Sequence, residues 1–385
     1  MHYKLISTDD HLQEAPDAYT SRMSRRFADL APQVRSNGDG TDSWYIYGQR
    51  RAGAGGVCTV HGVMPDRTKP PLRWEDVPRM AYVPSERVKA MDEDGVDVQT
   101  FFGNTPGTSG NVFSDPKFDE QWRLEAIRAY NDLQIDEYAD PYPGRFVPLA
   151  VVPLWDVNKA VAEVRRMHQR GAKGICFAFP QQFGYHHINE AYWGPLWAEA
   201  QEADLSINLH VGSGGSQGVG LVGTGAWAGH KDMFQLAESS TKSFSANTQV
   251  MTTLLFSGIM VRYPRIKFVS AESGVGWVPY LLEMADHQWE RQKLFNEGMK
   301  DKPSELFRAH CYVNFWYEHI GEHYRDNVGV DNMMWLADFA HPTCTYPTSR
   351  EYVANATRDL TPAEKRKVLV DNAVKLYHLD GKPLP

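Results

Sequence analysis

Strand-like runs alternate with helical patterns along this chain, and this alternation most constrains its fold. The strand-like runs are rich in β-branched and aromatic residues, and several are apolar nearly throughout, as expected of strands covered on both faces. They occupy residues 3–8, 96–102, 146–154, 174–179, 205–210, 266–271, 311–316 and 333–337. Helical patterns lie at residues 85–94, 119–138, 157–169, 190–203, 234–261, 278–295, 321–327, 349–356 and 362–377. Eight strands alternating with helices predict an α/β fold, a distorted (β/α)₈ TIM barrel that forms a single domain over residues 1–385.

A doubly wound open sheet is the alternative fold, and the lack of a GxGxxG pattern after the first strand disfavours it. Residues 22–80 do not fit the alternation, because they carry turn signals around Asn37-Gly38 and a proline-rich exit. We interpret them as an insertion after strand 1 that forms a hairpin over the barrel rim. It is either a lid or a solvent-exposed excursion.

Charge and composition exclude several partners. The net charge of −8 arises from mixed signs without a basic tract, so we expect no nucleic acid and no anionic membrane as a partner. No apolar stretch reaches the roughly 20 residues of a membrane-spanning helix. The first residues lack a signal-peptide pattern and the four cysteines form no CxxC pair, so we expect a cytoplasmic protein with reduced thiols.

Candidate metal ligands lie at or just beyond the ends of predicted strands: Asp9, His11, His210, Glu272, Asp338 and His341. Barrel enzymes assemble their sites from strand ends at the C-terminal rim, so these distant residues are expected to meet there. Asp9 and His11 are two residues apart and share one strand face, whereas Asp10 points away. Taken singly, each residue has an ordinary alternative, such as a turn or cap aspartate or a buried core histidine.

Four segments together resemble the amidohydrolase superfamily, in particular the amidohydrolase-related family typified by aminocarboxymuconate-semialdehyde decarboxylase. The segments are DDHLQEAP, AYWGPLWAEAQEADLSINLHVGSGG, YPRIKFVSAESGVGWVPYLLEMAD and LADFAHPTCTYP. The resemblance implies a (β/α)₈ barrel with a divalent metal ion at its C-terminal rim. It matches Asp9 and His11 to the first-strand ligand pair, His210 to the fifth-strand histidine and Asp338 to the eighth-strand aspartate.

Glu272 departs from the decarboxylase pattern, in which the sixth strand usually ends in a catalytic histidine. A histidine that titrates near neutrality suits the delivery of a proton to carbon as CO₂ leaves. A glutamate beside a cation is ionised at pH 7 and is a poor proton donor. We therefore predict that Glu272 is a metal ligand, with a hydrogen-bonded carboxylate that orients His210 as the alternative.

His341 follows Asp338 by three residues and raises the ligand count to six. Two imidazole–carboxylate sets plus a bridging carboxylate would hold two metal ions. We predict two divalent ions, with Fe favoured and Mn or Zn compatible with the same ligands. Some branches of the superfamily resemble this arrangement and are dinuclear non-haem iron oxygenases that hydroxylate organic acids.

The sequence favours the first of three functions, and the other two are its alternatives. The first is O₂-dependent hydroxylation of a carboxylic acid at a dinuclear or mixed-metal site. The second is a mononuclear Zn or Mn decarboxylase or hydrolase in which Asp338 or His341 transfers the proton. The third is a metal-free subunit that supports a catalytic partner. Glu272, Asp338 and His341 are the predicted catalytic residues.

A small carboxylic acid with a hydrophobic body is the expected substrate, because aromatic residues cluster at and beyond strand ends. Predicted substrate contacts are His186, His187, Trp227 and Tyr346. Two ordinary surface histidines are the alternative for the His186–His187 pair. The resemblance also implies a homo- or hetero-oligomer with a homologous barrel.

Overall fold

The fold is described from a computed structural model that covers residues 3–56, 59–67, 69–214 and 232–379. Its strands are β1 (Ile6–Leu12), β2 (Gln33–Ser36), β3 (Asp42–Ile46), β4 (Gln49–Gly53), β5 (Val98–Gly103), β6 (Phe146–Val147), β7 (Leu149–Val151), β8 (Gly174–Cys176), β9 (Ser206–His210), β10 (Phe268–Ala271), β11 (Cys311–Phe315) and β12 (Met333–Trp335). Apart from β2–β4, all pair in parallel, in the orders β1-β5-β6 and β7-β8-β9-β10-β11-β12. All eight predicted strands are present, and Pro148 splits the third into β6 and β7 because proline cannot donate to the ladder.

The barrel closes between its first and last strands through contacts that extend beyond the end of β12. The backbone N–H of Asp338 donates to the carbonyl of Asp9 over 3.0 Å, and the N–H of His11 donates to the carbonyl of Phe339. The Thr8 hydroxyl donates to the Trp335 carbonyl over 2.9 Å. The predicted (β/α)₈ barrel is therefore confirmed, and its closing seam carries two candidate ligand segments.

Helices cover the outside of the barrel. They are α1 (Pro84–Asp94), α2 (Glu120–Leu133), α3 (Val157–Gln169), α4 (Gly194–Glu202), α5 (Asp232–Phe256), α6 (Ile259–Arg262), α7 (Val278–Arg291), α8 (Pro303–His310), α9 (Glu322–Tyr324), α10 (Ser349–Ala356), α11 (Pro362–Arg366) and α12 (Asn372–Leu376). The predicted helix 234–261 is broken at Gly258, whose φ of 71° ends α5 and starts α6. Helix α8 was missing from the prediction.

The predicted insertion contains a three-stranded antiparallel sheet of β2, β3 and β4, one strand more than a hairpin. Farther along, Gly62 lies against the loop that follows β12, and its N–H donates to the Ala340 carbonyl over 2.9 Å. A Cβ atom at Gly62 would collide with the carbonyl oxygen of His341. The insertion thus contacts the C-terminal rim, and its action as a lid stays a prediction.

The core is apolar on both sides of the barrel wall and includes three unpaired, buried cysteines, Cys176, Cys311 and Cys344. Two clefts of about 650 and 580 Å³ lie where strands begin, at the end opposite the rim. Neither cleft is lined by a predicted ligand. Across the described ranges, no helix is both long enough and apolar enough to span a membrane.

Candidate metal centre

All six predicted ligands meet at the C-terminal rim of the barrel. They form two overlapping groups that share His11, and within each group one donor atom per residue lies within 4.8 Å of the others. One group adds Asp9 and His210 to His11. The other group adds Glu272, Asp338 and His341. Residues separated by more than 300 positions therefore form one cluster because parallel strands end at the same rim.

Strand β1 places Asp9 and His11 in the cluster through a local irregularity. Its register with β5 shifts between Ser7 and Asp10, so β1 carries one extra residue there. Such bulges re-aim side chains beside active sites. Asp9 Oδ1 lies 3.7 Å from His11 Nε2. Asp10 points away as predicted, and its Oδ1 accepts the N–H of Phe339 over 3.1 Å.

His210 and Glu272 come from the adjacent strand ends of β9 and β10. His210 Nε2 lies 2.9 Å from Glu272 Oε2 and 3.7 Å from Asp9 Oδ1. The other ring nitrogen, Nδ1, lies 3.0 Å from the carbonyl of Val211. Because that carbonyl can only accept, Nδ1 carries a hydrogen, and Nε2 is the ring nitrogen that faces the cluster, as in a metal-ligating histidine.

Asp338 and His341 come from the segment that follows β12. Asp338 Oδ1 lies 3.1 Å from His341 Nδ1 and 3.2 Å from His11 Nε2. Its Oδ2 accepts the hydroxyl hydrogen of Thr343, which orients the carboxylate. The rings of His341 and His11 stack with centroids 3.4 Å apart.

Two of these residues have strained backbones. Glu272 has a φ of 49° and Asp338 a φ of 57°, in the left-handed region that residues with a Cβ rarely adopt. Such conformations cost of order 1–3 kcal/mol and cluster at functional sites. Both carboxylates belong to the same donor group, so the two strained residues lie in the cluster itself.

The electrostatics of the cluster suit a cation. Burial, reinforced by Glu272 and Asp338, raises the pKa of Asp9 well above its usual range. Burial and His341 lower the pKa of His11 to about 3, so His11 is neutral and its lone pair is free to bind. Burial also opposes ionisation of Glu272, but His210 and His341 overcome it and lower the pKa of that carboxyl.

The residues present fit a divalent metal ion. Both carboxylate oxygens of Asp9 and the Nδ1 atom of His11 are buried without a hydrogen-bond partner. Native structures rarely leave such groups unsatisfied, and a cation held between the Asp9 carboxylate and the imidazoles would satisfy the carboxylate oxygens. Mixed imidazole and carboxylate donors suit Zn, Mn or Fe.

A family model described as amidohydrolase matches residues 59–379. The chain belongs to the amidohydrolase family. The matched range contains His210, Glu272, Asp338 and His341, while Asp9 and His11 precede it. No curated protein matches the chain.

Solved amidohydrolase structures share the fold along nearly the whole chain. An amidohydrolase of Mycobacterium avium subsp. paratuberculosis K-10 is 20% identical with a TM-score of 0.74, over 98% of this chain and 100% of that one. The 5-carboxyvanillate decarboxylase LigW of Sphingomonas paucimobilis is 18% identical with a TM-score of 0.62, over 98% and 99%. A dihydroxybenzoic acid decarboxylase of Polaromonas sp. JS666, solved with manganese and 2-nitroresorcinol, is 16% identical with a TM-score of 0.62, over 99% and 98%.

Within the described ranges, the predicted substrate contacts of this amidohydrolase interact with residues outside the cluster. His186 is exposed and His187 half-buried, and their Nδ1 atoms lie close to Glu190 and Asn189 respectively. Tyr346 packs edge-on against Phe339 with centroids 5.2 Å apart. Trp227 lies outside the described residues. Contact of these residues with substrate stays a prediction.

Two buried charged residues beside the amidohydrolase cluster were missed from the sequence. Glu14, just after β1, accepts the N–H and hydroxyl hydrogens of Thr105. Arg87 of α1 donates to the carbonyls of His11 and Phe339. Arg87 had a signal, because it shares the buried helical face of Ala90, Met91 and Asp94.

Proposed function

We propose that this amidohydrolase is a metal-dependent enzyme that decarboxylates a small aromatic carboxylic acid without oxidation. The observation that carries the proposal is the position of His341. Its side chain is 17% exposed, whereas the other five cluster side chains are at most 8% exposed. His341 is thus the imidazole that a substrate above the cluster would meet first.

His341 also answers the objection raised by Glu272. The sixth strand lacks the histidine expected of a decarboxylase, but Glu272 Oε1 lies 3.8 Å from His341 Nδ1. An imidazole from the segment after β12 therefore stands beside the position that the sixth-strand histidine would occupy. Although burial opposes its charge, Asp338 and Glu272 raise the pKa of His341 well above its usual range.

Similar structures support the class of substrate. By their names, the two decarboxylases act on 5-carboxyvanillate and dihydroxybenzoic acid. The structure of the dihydroxybenzoic acid decarboxylase contains bound manganese. Manganese is one of the ions that fit the donor set of this chain. For this reason decarboxylation takes precedence here over the hydroxylation that the ligand count first favoured.

In the proposed mechanism, Asp9, His11, His210 and Asp338 would hold the ion, with Glu272 close enough to join them. A bound divalent ion would supply a positive charge that holds and polarises the acidic substrate. His341 donates a proton of its charged imidazole to the aromatic carbon that bears the carboxylate. The carbon–carbon bond to the carboxylate then breaks, CO₂ leaves, and its electron pair restores the aromatic ring. Asp338 stabilises the charged form of His341 before the transfer.

A variant at His341 tests the proposal. H341N should lower CO₂ release from a panel of hydroxylated benzoic acids by about 10²–10⁴-fold, because general acid catalysis contributes that much. It should retain bound metal, since the remaining donors persist. H287N, which alters an exposed histidine of α7, is the matched control and should act like the wild type. Unchanged CO₂ release by H341N would contradict the assigned role, and no release by the wild type from any acid would contradict the reaction.

A dinuclear hydroxylase is the second candidate, favoured by the two donor groups that share His11. Two ions would place Glu272 as a ligand rather than as a neighbour of His341. Metal analysis of protein purified without added metal separates the candidates. A content of nearly two irons per chain, together with substrate-dependent O₂ uptake, would favour the hydroxylase and exclude the decarboxylase. One manganese or zinc without O₂ uptake would exclude the hydroxylase.

A further inference from the structure

Arg87 is a fully buried arginine at the seam where the barrel closes. Its Nη1 donates to the carbonyl of His11 over 2.8 Å, and its Nη2 donates to the carbonyl of Phe339 over 3.4 Å. Its Nε donates to Oε1 of Gln99 over 2.6 Å. One rigid guanidinium therefore joins β1, the segment after β12 and β5.

The two carbonyls belong to the ligand segments themselves. His11 is a candidate ligand, and Phe339 directly follows the candidate ligand Asp338. Asp10 completes the junction, because its Oδ1 accepts the N–H of Phe339 over 3.1 Å. The guanidinium carbon lies 5.0 Å from the ring centre of Phe101 and 4.7 Å from that of Phe339, which restricts its movement.

A buried guanidinium is costly unless its donors are satisfied and its charge is balanced. An apolar side chain would fill the same space at lower cost if the seam needed packing alone. Arginine differs from any apolar residue, and from lysine, in presenting several donors in a fixed planar fork. This fork matches the separation of the His11 and Phe339 carbonyls.

We propose that Arg87 is a positioning residue of the metal centre, fixing the spacing between the Asp9–His11 pair and Asp338. It acts through the backbone and does not touch the ion. The inference rests on the proposed metal site but not on decarboxylation. Residues that orient metal ligands typically contribute about 10- to 100-fold to metal affinity.

A merely structural role makes a different prediction. If Arg87 only fills the seam, its replacement lowers the melting temperature and leaves the Mn²⁺ affinity of the folded protein unchanged. If it positions the ligands, the affinity falls even where the protein is fully folded. The geometry of bound Co²⁺, reported by its visible absorption spectrum, should change as well.

The experiment titrates Mn²⁺ into metal-free, full-length protein well below its melting temperature. R87M should weaken Mn²⁺ binding by about 10- to 100-fold. R87K keeps the charge but cannot donate to both carbonyls and Gln99 together, so its loss should be smaller. Q99L, which removes only the acceptor of Nε, provides a milder variant should R87M fail to fold, and it should also weaken binding.

Arg145 provides a matched control at the opposite end of the barrel. It likewise donates to backbone carbonyls, those of Asp97 over 2.7 Å and Val96 over 3.5 Å, and pairs with Asp92 over 2.7 Å. R145M should destabilise the protein without altering Mn²⁺ affinity or the Co²⁺ spectrum.

Two results would overturn the inference. One is Mn²⁺ affinity within twofold of the wild type in R87M or, where R87M does not fold, in both R87K and Q99L. The other is an equal loss in R145M. Wild-type protein that binds neither Mn²⁺ nor Zn²⁺ nor Fe²⁺ would refute the metal site and this inference together. Wild-type protein that binds Mn²⁺ but releases no CO₂ refutes only the decarboxylase, and the Arg87 result then stands independently.

Discussion

Glu14 is an acid in an environment that disfavours its charge. It follows the ligand His11 by three residues and is 1% exposed. Burial raises the pKa of its carboxyl to about 7, although hydrogen bonds from Thr105 and Tyr19 oppose the shift. In the unfolded chain its pKa returns to about 4.5. The folded state therefore binds the proton more tightly than the unfolded state.

This difference predicts a pH dependence of stability. The contribution of Glu14 to the free energy of unfolding is fully present below about pH 4.5 and is lost as pH rises to about 7. The loss is on the order of 3 kcal/mol in the free energy of unfolding. E14Q cannot titrate, so its free energy of unfolding should fall less than that of the wild type between pH 5 and pH 8. Urea unfolding at several pH values measures the difference in the free energy of unfolding between the wild type and E14Q. The contributions of the other titrating groups cancel in this difference. Parallel curves for the two proteins would contradict the shifted pKa.

Single residues of the centre were predictable where their position along a strand decides their surroundings. Asp9, His11 and His210 end strands, and the rim of a barrel gathers strand ends. Glu14 and Arg87 were not predictable, because their burial depends on packing between segments distant in sequence. Whether an arginine on a helix faces water or a carbonyl is settled by what covers it, and only the fold supplies that information.

The turn after β10 shows how an element constrains the centre. Gly274 follows Glu272 by two residues and has a φ of 66°, and a Cβ there would collide with Oε1 of Glu318. Glu318 is fixed in place, because its carboxylate accepts the N–H groups of Val275 over 2.9 Å and Trp316 over 3.1 Å. Glu318 thus ties the turn after β10 to the segment after β11.

A glycine substitution tests this turn. G274A should lower the free energy of unfolding by about 2–5 kcal/mol, because the left-handed backbone and the crowding against Glu318 each destabilise the folded state. G298A is the matched control, since Gly298 has a φ of 102° but no atom within 4 Å of an added Cβ. It should cost only about 1–2 kcal/mol. Equal losses in denaturant unfolding would show that Glu318 yields and does not fix the turn.

Elements were predictable where their pattern is long or strongly apolar. The positions of all eight strands and of helices such as α3 follow from such patterns. Helix α8 is only eight residues long, so its pattern covers little more than two turns. Glu305 caps it by accepting the N–H of Lys302 over 2.9 Å. The third strand divides at Pro148 because proline has no backbone N–H to donate. A continuous apolar run gives no sign of this division.

At the scale of the whole molecule, the metal centre joins parts of the barrel that are far apart in the chain. Asp9, His210, Glu272 and Asp338 come from the first, fifth, sixth and eighth strands. Without a cation, burial and then the nearby Glu272 and Asp338 disfavour the charge of Asp9, whose pKa lies well above its usual range. An ion bound by the native state alone should therefore stabilise the entire barrel.

The size of this effect follows from mass action. Free Mn²⁺ at about 100 times its dissociation constant adds about 2.7 kcal/mol to the free energy of unfolding. For a chain of 385 residues this corresponds to a rise in melting temperature of about 3 °C. Thermal unfolding of chelator-treated protein, with and without Mn²⁺, measures the shift. D9N should lose most of it, because Asp9 contributes a buried carboxylate that has no hydrogen-bond partner. H287N, altered at an exposed histidine of α7, should retain it. A melting temperature that is the same with chelator and with Mn²⁺ would mean that the six side chains cluster without binding the ion, and the proposed chemistry would then lose its foundation.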